Sequence, residues 1–473
     1  MSAQLVVASN RGPLSYEEAP DGSLTARRGA GGLVSALGGA LHDRADALWI
    51  AAALTPDDRR AAEENEGGIM EAAGYRVRLL DIPELEYDMY YNVMSNRFLW
   101  FICHYLWDPA HTPSIGEEER QSWHAYEEVN RRFATAICDN TAEGVAVMIQ
   151  DYHLGLAPAM IRTQRPDLRV GIFWHIPFPD ADYLRLMPDR WSRRLLEGML
   201  GADLIGFHTT RWAGNFIRAV VDVLEEQTTR RLVSHQGRRV RVGHYPVGVD
   251  VKSLTAGADP EDVRRQKASI TDWLGGRKLI LRVDRTELSK NIVRGLRAYE
   301  RVLEKRPDLH GKVSHLALLT PSRSHVPEYR DYLAECKETG REIAKRFQTD
   351  SWEPLRVEVA DDFPRTLAAY ELYDVLVVNP VFDGMNLVAR EGPVLNRNQG
   401  ILVLSRNAGA WSELSPAALG VNPFDVDGTA EAIEAAIDLP EAERAWMSKG
   451  VARLARGRAP ARWLERQLRD LPS

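Results

Sequence analysis

At 473 residues the chain is longer than one hydrophobic core can support, so two domains are expected. Hydrophobic residues make up 44% and charged residues 27%, as in a typical globular protein, and the net charge of −7 argues against nucleic acid as a partner. The three cysteines form no CxxC pattern, which argues against a disulfide framework and a zinc site. No signal peptide is recognisable and no apolar run approaches about 18 residues, so a cytoplasmic protein outside the membrane is expected.

The first half of the chain alternates strand-like and helical stretches. Short apolar runs predict strands at residues 5–9, 48–53, 145–149, 170–174 and 204–207. The region between 85 and 140 is helix-rich, and a charged, hairpin-like segment occupies 225–245. This alternation predicts a mostly parallel sheet with helices on both faces.

A glycine-rich segment, GAGGL at 29–33, follows the first strand and the loop that contains Asn10 and Arg11. A strand, such a loop and a helix start make a candidate phosphate-binding site around Gly32. The pattern is weakly specific, because it is neither a full GxGxxG motif nor a Walker A motif.

A second alternation begins after the turn at 246–250. Its predicted strands lie at 278–283, 313–319, 355–359, 374–380 and 401–404. Its predicted helices lie at 292–305, 329–346, 366–373 and 429–437. The fold class predicted is therefore α/β, with two doubly wound, Rossmann-like domains and a cleft between them, and ligands in such folds bind at the carboxyl ends of strands.

The turn at 246–250 sets the predicted domain boundary. The N-terminal domain is expected over 1–245 and the C-terminal domain over 246–455. The segment 456–473 has the spacing of a basic amphipathic helix and is expected to cross back to the N-terminal domain.

The stretch 383–391, DGMNLVARE, has the features of a ligand-binding loop. It follows an apolar, β-branched run and contains Gly384, and helical spacing begins after Met385. Backbone N–H groups at a helix start attract anions and hydroxyl oxygens, and Asp383 and Glu391 add acceptors for hydroxyl groups. The alternative is an ordinary strand-to-helix turn with a capping aspartate.

Polar residues stand at predicted strand ends in both halves: Asn10, Arg11, Gly32, Asp151, His153, His175, Arg285, Lys290, Arg323, Asp383 and Glu391. Arg285 and Lys290 share one strand-to-helix loop, which suits a bidentate grip and a point charge on a diphosphate. No metal-ligand set accompanies them, so no metal and no cofactor is predicted. Taken singly, each cation has a solvated surface charge as its alternative.

Three further groups have two interpretations each. His175 precedes a stiff Ile-Pro-Phe-Pro connection that fixes its ring, and it is either a ligand contact or a core histidine bonded to a backbone carbonyl. Asp151 is either its partner or an acceptor for a ligand hydroxyl. Tyr91 and Trp100 are either core aromatics or the face on which a sugar ring packs.

The chain resembles the trehalose-6-phosphate synthases, which are retaining nucleotide-sugar glycosyltransferases of the GT-B architecture. That family also includes the validamycin-type pseudo-glycosyltransferases. The matching segments run in family order between residues 9 and 425: SNRGP, GAGGL, YYNVMSNRFLW, QDYHL, HIPFP, DLIGFH, YPVGVD, DRTELSKN, PSR, DGMNLVARE and VLSRNAGAWSEL.

The resemblance implies roles for individual residues. The donor would be bound by Gly32, Arg285, Lys290, Asp383, Gly384, Met385, Asn386, Leu387, Val388 and Glu391. The acceptor would be bound by Arg11, Tyr91, Trp100, Asp151 and Arg323. The catalytic groups implied are Asp151, His175, Arg285 and Lys290.

The activity implied is metal-independent transfer of glucose from a nucleotide-glucose to glucose 6-phosphate, which gives α,α-trehalose 6-phosphate. The chain departs from the family where a Gly-Trp-Ser-Gly run is usual, since it has Ile50-Ala51-Ala52-Ala53 there. This change leaves the identity of the acceptor open. Two other departures favour GDP-glucose as donor, with UDP-glucose also open: residues 285–291 read RTELSKN where Arg-Leu-Asp-Tyr-Ser-Lys-Gly is common, and residues 390–392 read REG where Lys-Glu-Tyr is usual. A pseudo-glycosyltransferase that couples a nucleotide-cyclitol to an aminocyclitol phosphate is the first alternative, and a non-catalytic sugar-phosphate sensor is the second. A homo-oligomer is compatible with the sequence.

Overall fold

The structure is a computed structural model that describes residues 3–28, 37–38, 41, 46–457 and 459–472. It divides into two compact units. The first comprises Met1–Val247 together with Pro460–Ser473, and the second comprises Gly248–Ala459.

The first unit is built on a central sheet. Its strands are β1 (Ala3–Ser9), β2 (Leu14–Glu18), β3 (Leu24–Arg28), β4 (Ala47–Ala52), β5 (Met70–Ala72), β6 (Tyr75–Leu80), β7 (Thr141–Gln150), β8 (Arg169–Trp174), β9 (Leu204–Phe207), β10 (Thr228–Thr229), β11 (Leu232–His235) and β12 (Arg238–His244). Among the described residues, ten of these strands form one sheet in the order β10-β11-β12-β9-β8-β7-β1-β4-β6-β5. The sheet is parallel from β12 to β6 and antiparallel at both edges. Strands β4 and β9 are buried along their whole length, which is why they read as continuous apolar runs.

Helices connect these strands. The α-helices of the first unit are Pro56–Glu64, Glu84–Asp88, Trp100–Cys103, Glu117–Asp139, Ala157–Gln164, Ala181–Leu184, Asp189–Leu200, Thr210–Leu224 and Pro460–Asp470. A π-helix spans Met89–Leu99, and a 3₁₀ turn spans Tyr152–Leu154.

The second unit is a parallel doubly wound sheet. Its strands are β13 (Lys278–Arg285), β14 (Val313–Thr320), β15 (Leu355–Val359), β16 (Val375–Val378), β17 (Ile401–Ser405) and β18 (Leu419–Val421), in the order β15-β14-β13-β16-β17-β18. Its α-helices are Val251–Ala256, Pro260–Leu274, Ile292–Lys305, Pro327–Phe347, Phe363–Leu372, Val388–Leu395, Trp411–Leu414, Val426–Asp438 and Glu441–Arg456. Short 3₁₀ turns span Leu288–Lys290, Pro307–Leu309 and Ser415–Ala417.

Helix Ile292–Lys305 shows how the core of the second unit forms. Leu296, Tyr299 and Leu303 recur at helical spacing and are buried with the apolar residues of the strands in one cluster. Both the alternation and the helix bounds predicted for 292–305 are confirmed.

The structure also adds elements that the sequence did not indicate. The hairpin β2–β3 lies outside the main sheet, and β5, β6 and β18 were not predicted. The charged segment predicted as hairpin-like is a hairpin whose last strand, β12, pairs in parallel with β9 and so extends the sheet. The predicted glycine-rich phosphate site, with Gly32, lies outside the described residues.

The helix Pro460–Asp470 belongs to the first unit. The indole N–H of Trp463 donates to the carbonyl of Tyr245 at 2.9 Å, and the Tyr245 hydroxyl donates to Asp470 at 2.7 Å. Trp463 is fully buried, so the contact is part of the core of the first unit.

Within the part of the chain that the structure describes, no helix has the length and apolar character needed to cross a bilayer.

Candidate active site

The loop between β16 and helix Val388–Leu395 takes the form predicted for a ligand-binding loop. Asn386 adopts a left-handed backbone conformation, with φ of 72°, which this residue type tolerates better than most. Its side-chain N–H₂ donates to Asp383 at 3.0 Å, and its carbonyl oxygen accepts from the N–H of Ala389 at 3.0 Å. Asn386 therefore caps the helix start and fixes the Asp383 carboxylate at the same time.

A neighbouring segment supports this loop from behind. The Gly409 N–H donates to the carbonyl of Asp383 at 3.1 Å, and the Ala410 N–H donates to the carbonyl of Met385 at 2.8 Å. A Cβ at position 409 would overlap the carbonyl oxygen of Gly384. Glycine at 409 thus permits the close approach that holds the loop in place.

Arg390 anchors the helix that follows the loop. Its guanidinium is completely buried, bonds the Glu413 carboxylate, and donates to the Met385 sulfur at 3.4 Å and to the carbonyl of Ala455 at 3.3 Å. Arg390 therefore connects the loop to two other segments of the second unit.

Arg285, the last residue of β13, and Lys290, in the turn that follows, face different carboxylates. Lys290 lies 2.6 Å from Asp383, and the two side chains are 11% and 12% exposed. Arg285 lies 2.9 Å from Glu287, and the arginine side chain is 52% exposed while the glutamate is completely buried. The Arg285 guanidinium is paired with the buried Glu287 carboxylate and still faces solvent. It is therefore suited to bind an anion.

A buried ion pair lies beneath this loop. The Arg282 guanidinium donates to Asp284 at 2.6 Å and to the backbone carbonyl of Lys290 at 3.3 Å, and it also bonds Asn379. Burial raises the pKa of Asp284 to about 6, against the opposing effect of Arg282 and Lys290. The pair thereby fixes the backbone that carries Lys290.

Glu391 lies on the helix that follows the ligand-binding loop. The Tyr370 hydroxyl donates to its carboxylate at 3.3 Å. Burial raises the pKa of Glu391 to about 7, and the bond from Tyr370 opposes this shift. Ligand hydroxyls that donate to this buried carboxylate would stabilise its charged form.

Arg323 lies in the loop that follows β14, next to β13 in the sheet. Its backbone φ is 50°, its guanidinium donates to the Tyr329 hydroxyl at 2.7 Å, and it lies 5.3 Å from the Tyr329 ring centroid. Arg323, Arg285 and Lys290 each act to lower the pKa of Glu287. The structure therefore brings these three predicted cations together around one carboxylate.

Asp151 and His175 meet at the ends of the adjacent strands β7 and β8 of the first unit. The Asp151 carboxylate accepts from the N–H of Tyr152 at 3.0 Å and from the N–H of His175 at 3.1 Å, and the Asp151 φ is 73°. The His175 ring bonds the side-chain oxygen of Gln150 at 3.0 Å. Burial, with a smaller effect from His208, holds the pKa of His175 well below its ordinary value, so the ring is neutral.

The aromatic residues predicted for the acceptor belong to a larger cluster in the first unit. The Tyr91 ring stacks on Tyr87 at 5.3 Å and on His153 at 5.6 Å. Trp100 is 5% exposed and stacks on His104 at 4.0 Å. Arg11 is exposed, directly after β1.

Sequence reasoning missed Glu287, Asp284 and Arg282. Asp284 and Glu287 belong to the DRTELSKN segment, where Glu287 looks like an ordinary surface charge, and Arg282 lies two residues before it. For Arg282 and Asp284 the signal was position, because both fall inside an apolar strand run where a charge needs a partner.

Among the described residues, no group of three or more His, Cys, Asp or Glu side chains is placed to hold a metal ion.

These features define a class of protein, namely an α/β protein with doubly wound sheets that carries charged and polar side chains at the carboxyl ends of its strands. The sequence model of Glycosyltransferase family 20 matches residues 3–473, and the chain therefore belongs to that family.

Named relatives agree with this assignment. A trehalose-6-phosphate synthase of Mycobacterium sp. (strain KMS) is 36% identical over 450 residues, which cover 92% of this chain and 88% of that protein. A bifunctional trehalose-6-phosphate synthase/phosphatase of Thermoproteus tenax is 34% identical over 471 residues, which cover 97% of this chain but 62% of that protein. A validamine 7-phosphate valienyltransferase of Streptomyces hygroscopicus subsp. jinggangensis is 32% identical over 482 residues, or 99% of this chain and 94% of that protein.

Solved structures match over nearly the whole chain. The trehalose-6-phosphate structure from E. coli bound with UDP-2-fluoro glucose has a TM-score of 0.84 at 28% identity and covers 98% of each chain. The alpha,alpha-trehalose-phosphate synthase (UDP-forming) from Burkholderia xenovorans in complex with glucose-6-phosphate has a TM-score of 0.83 at 29% identity, over 98% of this chain and 99% of that one. The predicted α/β, GT-B fold class and the predicted family are confirmed.

Proposed function

We propose that this protein is a retaining glucosyltransferase that moves glucose from a nucleotide-glucose donor to glucose 6-phosphate and forms α,α-trehalose 6-phosphate. The observation that carries the proposal is the 2.6 Å contact between Lys290 and Asp383. Lys290 is a cation suited to bind a diphosphate, and Asp383 is a carboxylate suited to accept from sugar hydroxyls. A sugar nucleotide requires both groups close together.

The donor site is proposed for the second unit. Arg285 and Lys290 bind the diphosphate, while Asp383 and the backbone of Gly384, Met385 and Asn386 bind the glucose hydroxyls. Leu387 and Val388 lie at the start of the following helix, where N–H groups favour the phosphates, and Glu391 accepts from the ribose hydroxyls. Gly32 is proposed as a further donor contact from the N-terminal half.

The acceptor groups are proposed from both units. In the second unit, Arg323 binds the phosphate of glucose 6-phosphate. In the first unit, Arg11 is an acceptor group, and Tyr91 offers a ring face from the stack with Tyr87 and His153. Trp100 shows almost no surface, so it shapes the pocket by packing. Asp151 lies near the point of transfer, and the neutral His175 contacts the donor sugar.

The proposed mechanism needs no covalent intermediate. The bond between the glucose C1 and the diphosphate oxygen breaks, and the acceptor hydroxyl forms a new bond to C1 from the same face. The departing phosphate oxygen takes the hydroxyl proton. Arg285 and Lys290 neutralise the charge that develops on the leaving group, which is the interaction that grows toward the transition state.

The donor base is the finer part of the proposal. We infer GDP-glucose as the preferred donor from the departures of the sequence, while the E. coli structure contains a UDP-sugar. Release of nucleoside diphosphate, measured with GDP-glucose and with UDP-glucose in parallel and with glucose 6-phosphate as acceptor, tests both the reaction and the base. Absence of turnover with either donor would overturn the synthase proposal.

A pseudo-glycosyltransferase is the second candidate, because Ala51 and Ala52 at the end of β4, and Ala53 after it, stand where the family has a tryptophan, and because a valienyltransferase is among the relatives. Stimulation of nucleotide release by an aminocyclitol phosphate, and not by glucose 6-phosphate, would favour this candidate. A non-catalytic sensor of sugar phosphates would show thermal stabilisation by nucleotide without turnover with any acceptor.

A further inference from the structure

Glu287 is a buried carboxylate with no assigned role, in the loop between Arg285 and Lys290. Its residue is 0% exposed, although it stands at the carboxyl edge of the sheet where Arg285 is half exposed. A carboxylate at such a depth costs several kcal/mol unless cations and hydrogen bonds compensate it. The groups that contact the Glu287 carboxylate therefore indicate which residues it holds in place.

Two loops converge on this carboxylate. One oxygen, Oε1, lies 2.9 Å from Arg285 Nη1 and accepts from the Ser322 hydroxyl at 3.0 Å. Arg285 is the last residue of β13 and Ser322 lies in the loop after β14, and these two strands pair in parallel along their length. Glu287 thus connects the ends of two neighbouring strands.

A second set of bonds links the same loops. The Thr286 N–H donates to the carbonyl of Thr320 at 2.9 Å, and the Ser322 N–H donates to the Thr286 hydroxyl at 3.2 Å. Ser322 directly precedes Arg323, whose backbone has a positive φ. The position of Arg323 therefore depends on the loop that Glu287 and Thr286 hold.

The electrostatics agree with a charged glutamate at the centre. Arg285, Arg323 and Lys290 together outweigh the effect of burial and lower the pKa of Glu287 to about 2. Lys290 is also paired with Asp383, so the positive charge that remains for a phosphorylated ligand is carried by Arg285 and Arg323.

We propose that Glu287 is a positioning residue that fixes Arg285 and, through Ser322, Arg323 in one array, so that the cation for the donor diphosphate and the cation for the acceptor phosphate are oriented by the same carboxylate. This proposal rests on the proposed function for the assignment of the two phosphates. It concerns orientation, since Glu287 itself is buried and does not reach a ligand.

The sign of one measurement separates orientation from simple charge. If Glu287 acted only through its charge, removal of that charge would strengthen the binding of an anion nearby. If it positions Arg285, removal would weaken binding because the guanidinium loses the ion-pair partner that holds it in place. Glu287→Gln keeps the shape and one acceptor oxygen, while Glu287→Asp keeps the charge on a shorter side chain.

The test uses the full chain with UDP and GDP as binding probes in calorimetry, without turnover. For Glu287→Gln we expect the Kd of the nucleotide that binds wild type more tightly to rise about tenfold, because Arg285 loses the ion pair that orients it. Glu287→Asp should bind within about threefold of wild type. The matched control is Glu371→Gln, which removes a carboxylate paired with Lys267 at 2.7 Å in the same unit, and it should leave the Kd unchanged.

Steady-state rates test the link to Arg323. We expect Glu287→Gln to raise the KM for glucose 6-phosphate together with the nucleotide Kd. An unchanged or lower nucleotide Kd in Glu287→Gln, with the thermal transition of wild type, would overturn the positioning role. An effect on the nucleotide alone would overturn the link between the two arginines. If wild type binds nucleotide but makes no trehalose 6-phosphate, the proposed function fails while the binding test of Glu287 still stands.

Discussion

The two units hold their candidate functional groups by different means. In the second unit, ion pairs such as Lys290–Asp383 and Arg282–Asp284 link each side chain to a strand end or to the ligand-binding loop. In the first unit, Asp151 and His175 are held by backbone N–H bonds and Tyr91 is held by stacked rings. A charge removed from the second unit leaves a partner uncompensated, whereas a polar group changed in the first unit leaves neutral contacts that can adjust. Substitutions should therefore have larger effects in the second unit.

The largest effect is expected for Arg285→Ala. The variant loses the cation proposed to neutralise the leaving diphosphate, so kcat should fall by about 10²- to 10³-fold. Arg301→Ala is the matched control, because Arg301, on the helix Ile292–Lys305, pairs with Glu304 of the same helix and with Asp427 of the helix Val426–Asp438, and its kcat should stay at the wild-type value. A kcat for Arg285→Ala equal to wild type would remove Arg285 from the catalytic groups.

A large loss of stability is expected for Lys290→Met. The variant leaves the nearly buried carboxylate of Asp383 without its cation, and the free energy of unfolding should fall by about 3 kcal/mol. The double variant Lys290→Met/Asp383→Asn removes both charges and should recover part of that loss, which denaturant titration of Lys290→Met, Asp383→Asn and the double variant measures. Strict additivity of the two single changes would show that the pair contributes no coupling.

The pH dependence of donor binding should follow Glu391. Because its pKa is raised to about 7, its carboxylate protonates as the pH falls below that value and can no longer accept from two ribose hydroxyls. The donor Kd should therefore rise by up to about tenfold per pH unit below 7. Glu391→Gln should bind more weakly at pH 8 and show a flat profile. A sloping profile in that variant would assign the titration to another group.

The smallest effect is expected for Asp151→Asn in the first unit. Asparagine tolerates the positive φ and keeps one acceptor oxygen for the N–H groups of Tyr152 and His175, so the free energy of unfolding should fall by about 1 kcal/mol. Chemical denaturation measures the change, with Asp189→Asn at a helix start as a comparison. A loss as large as that of Lys290→Met would contradict the difference between the units.

Local patterns of the sequence were enough to predict much of the second unit. The β-branched run before Asp383 is buried on both faces of a parallel sheet, and the loop and helix after it follow from Gly384 and the change of spacing. The bounds of helix Ile292–Lys305 followed from its apolar spacing alone. The family resemblance supplied the proposed roles, which composition and spacing could not.

Features that depend on distant residues were not predictable from the sequence. Glu287 looks like a surface charge until β13 and β14 pair and bring Ser322 to it. The short edge strands, such as β5, carry a weak pattern because one side of each is not covered. The π-helix Met89–Leu99 has helical spacing, and one-residue shifts in hydrogen bonding leave no mark in composition.

Gly409 lies outside the loop proposed to bind the donor sugar but fixes its backbone. Because a methyl group there would press on the carbonyl of Gly384, a change at 409 would move that loop without altering any of the loop's own residues. A protein engineer who wants to alter sugar selectivity while keeping every ligand contact intact could begin with small substitutions at this position. Natural variants that keep the DGMN sequence but lack glycine at this site should be screened for a different donor sugar.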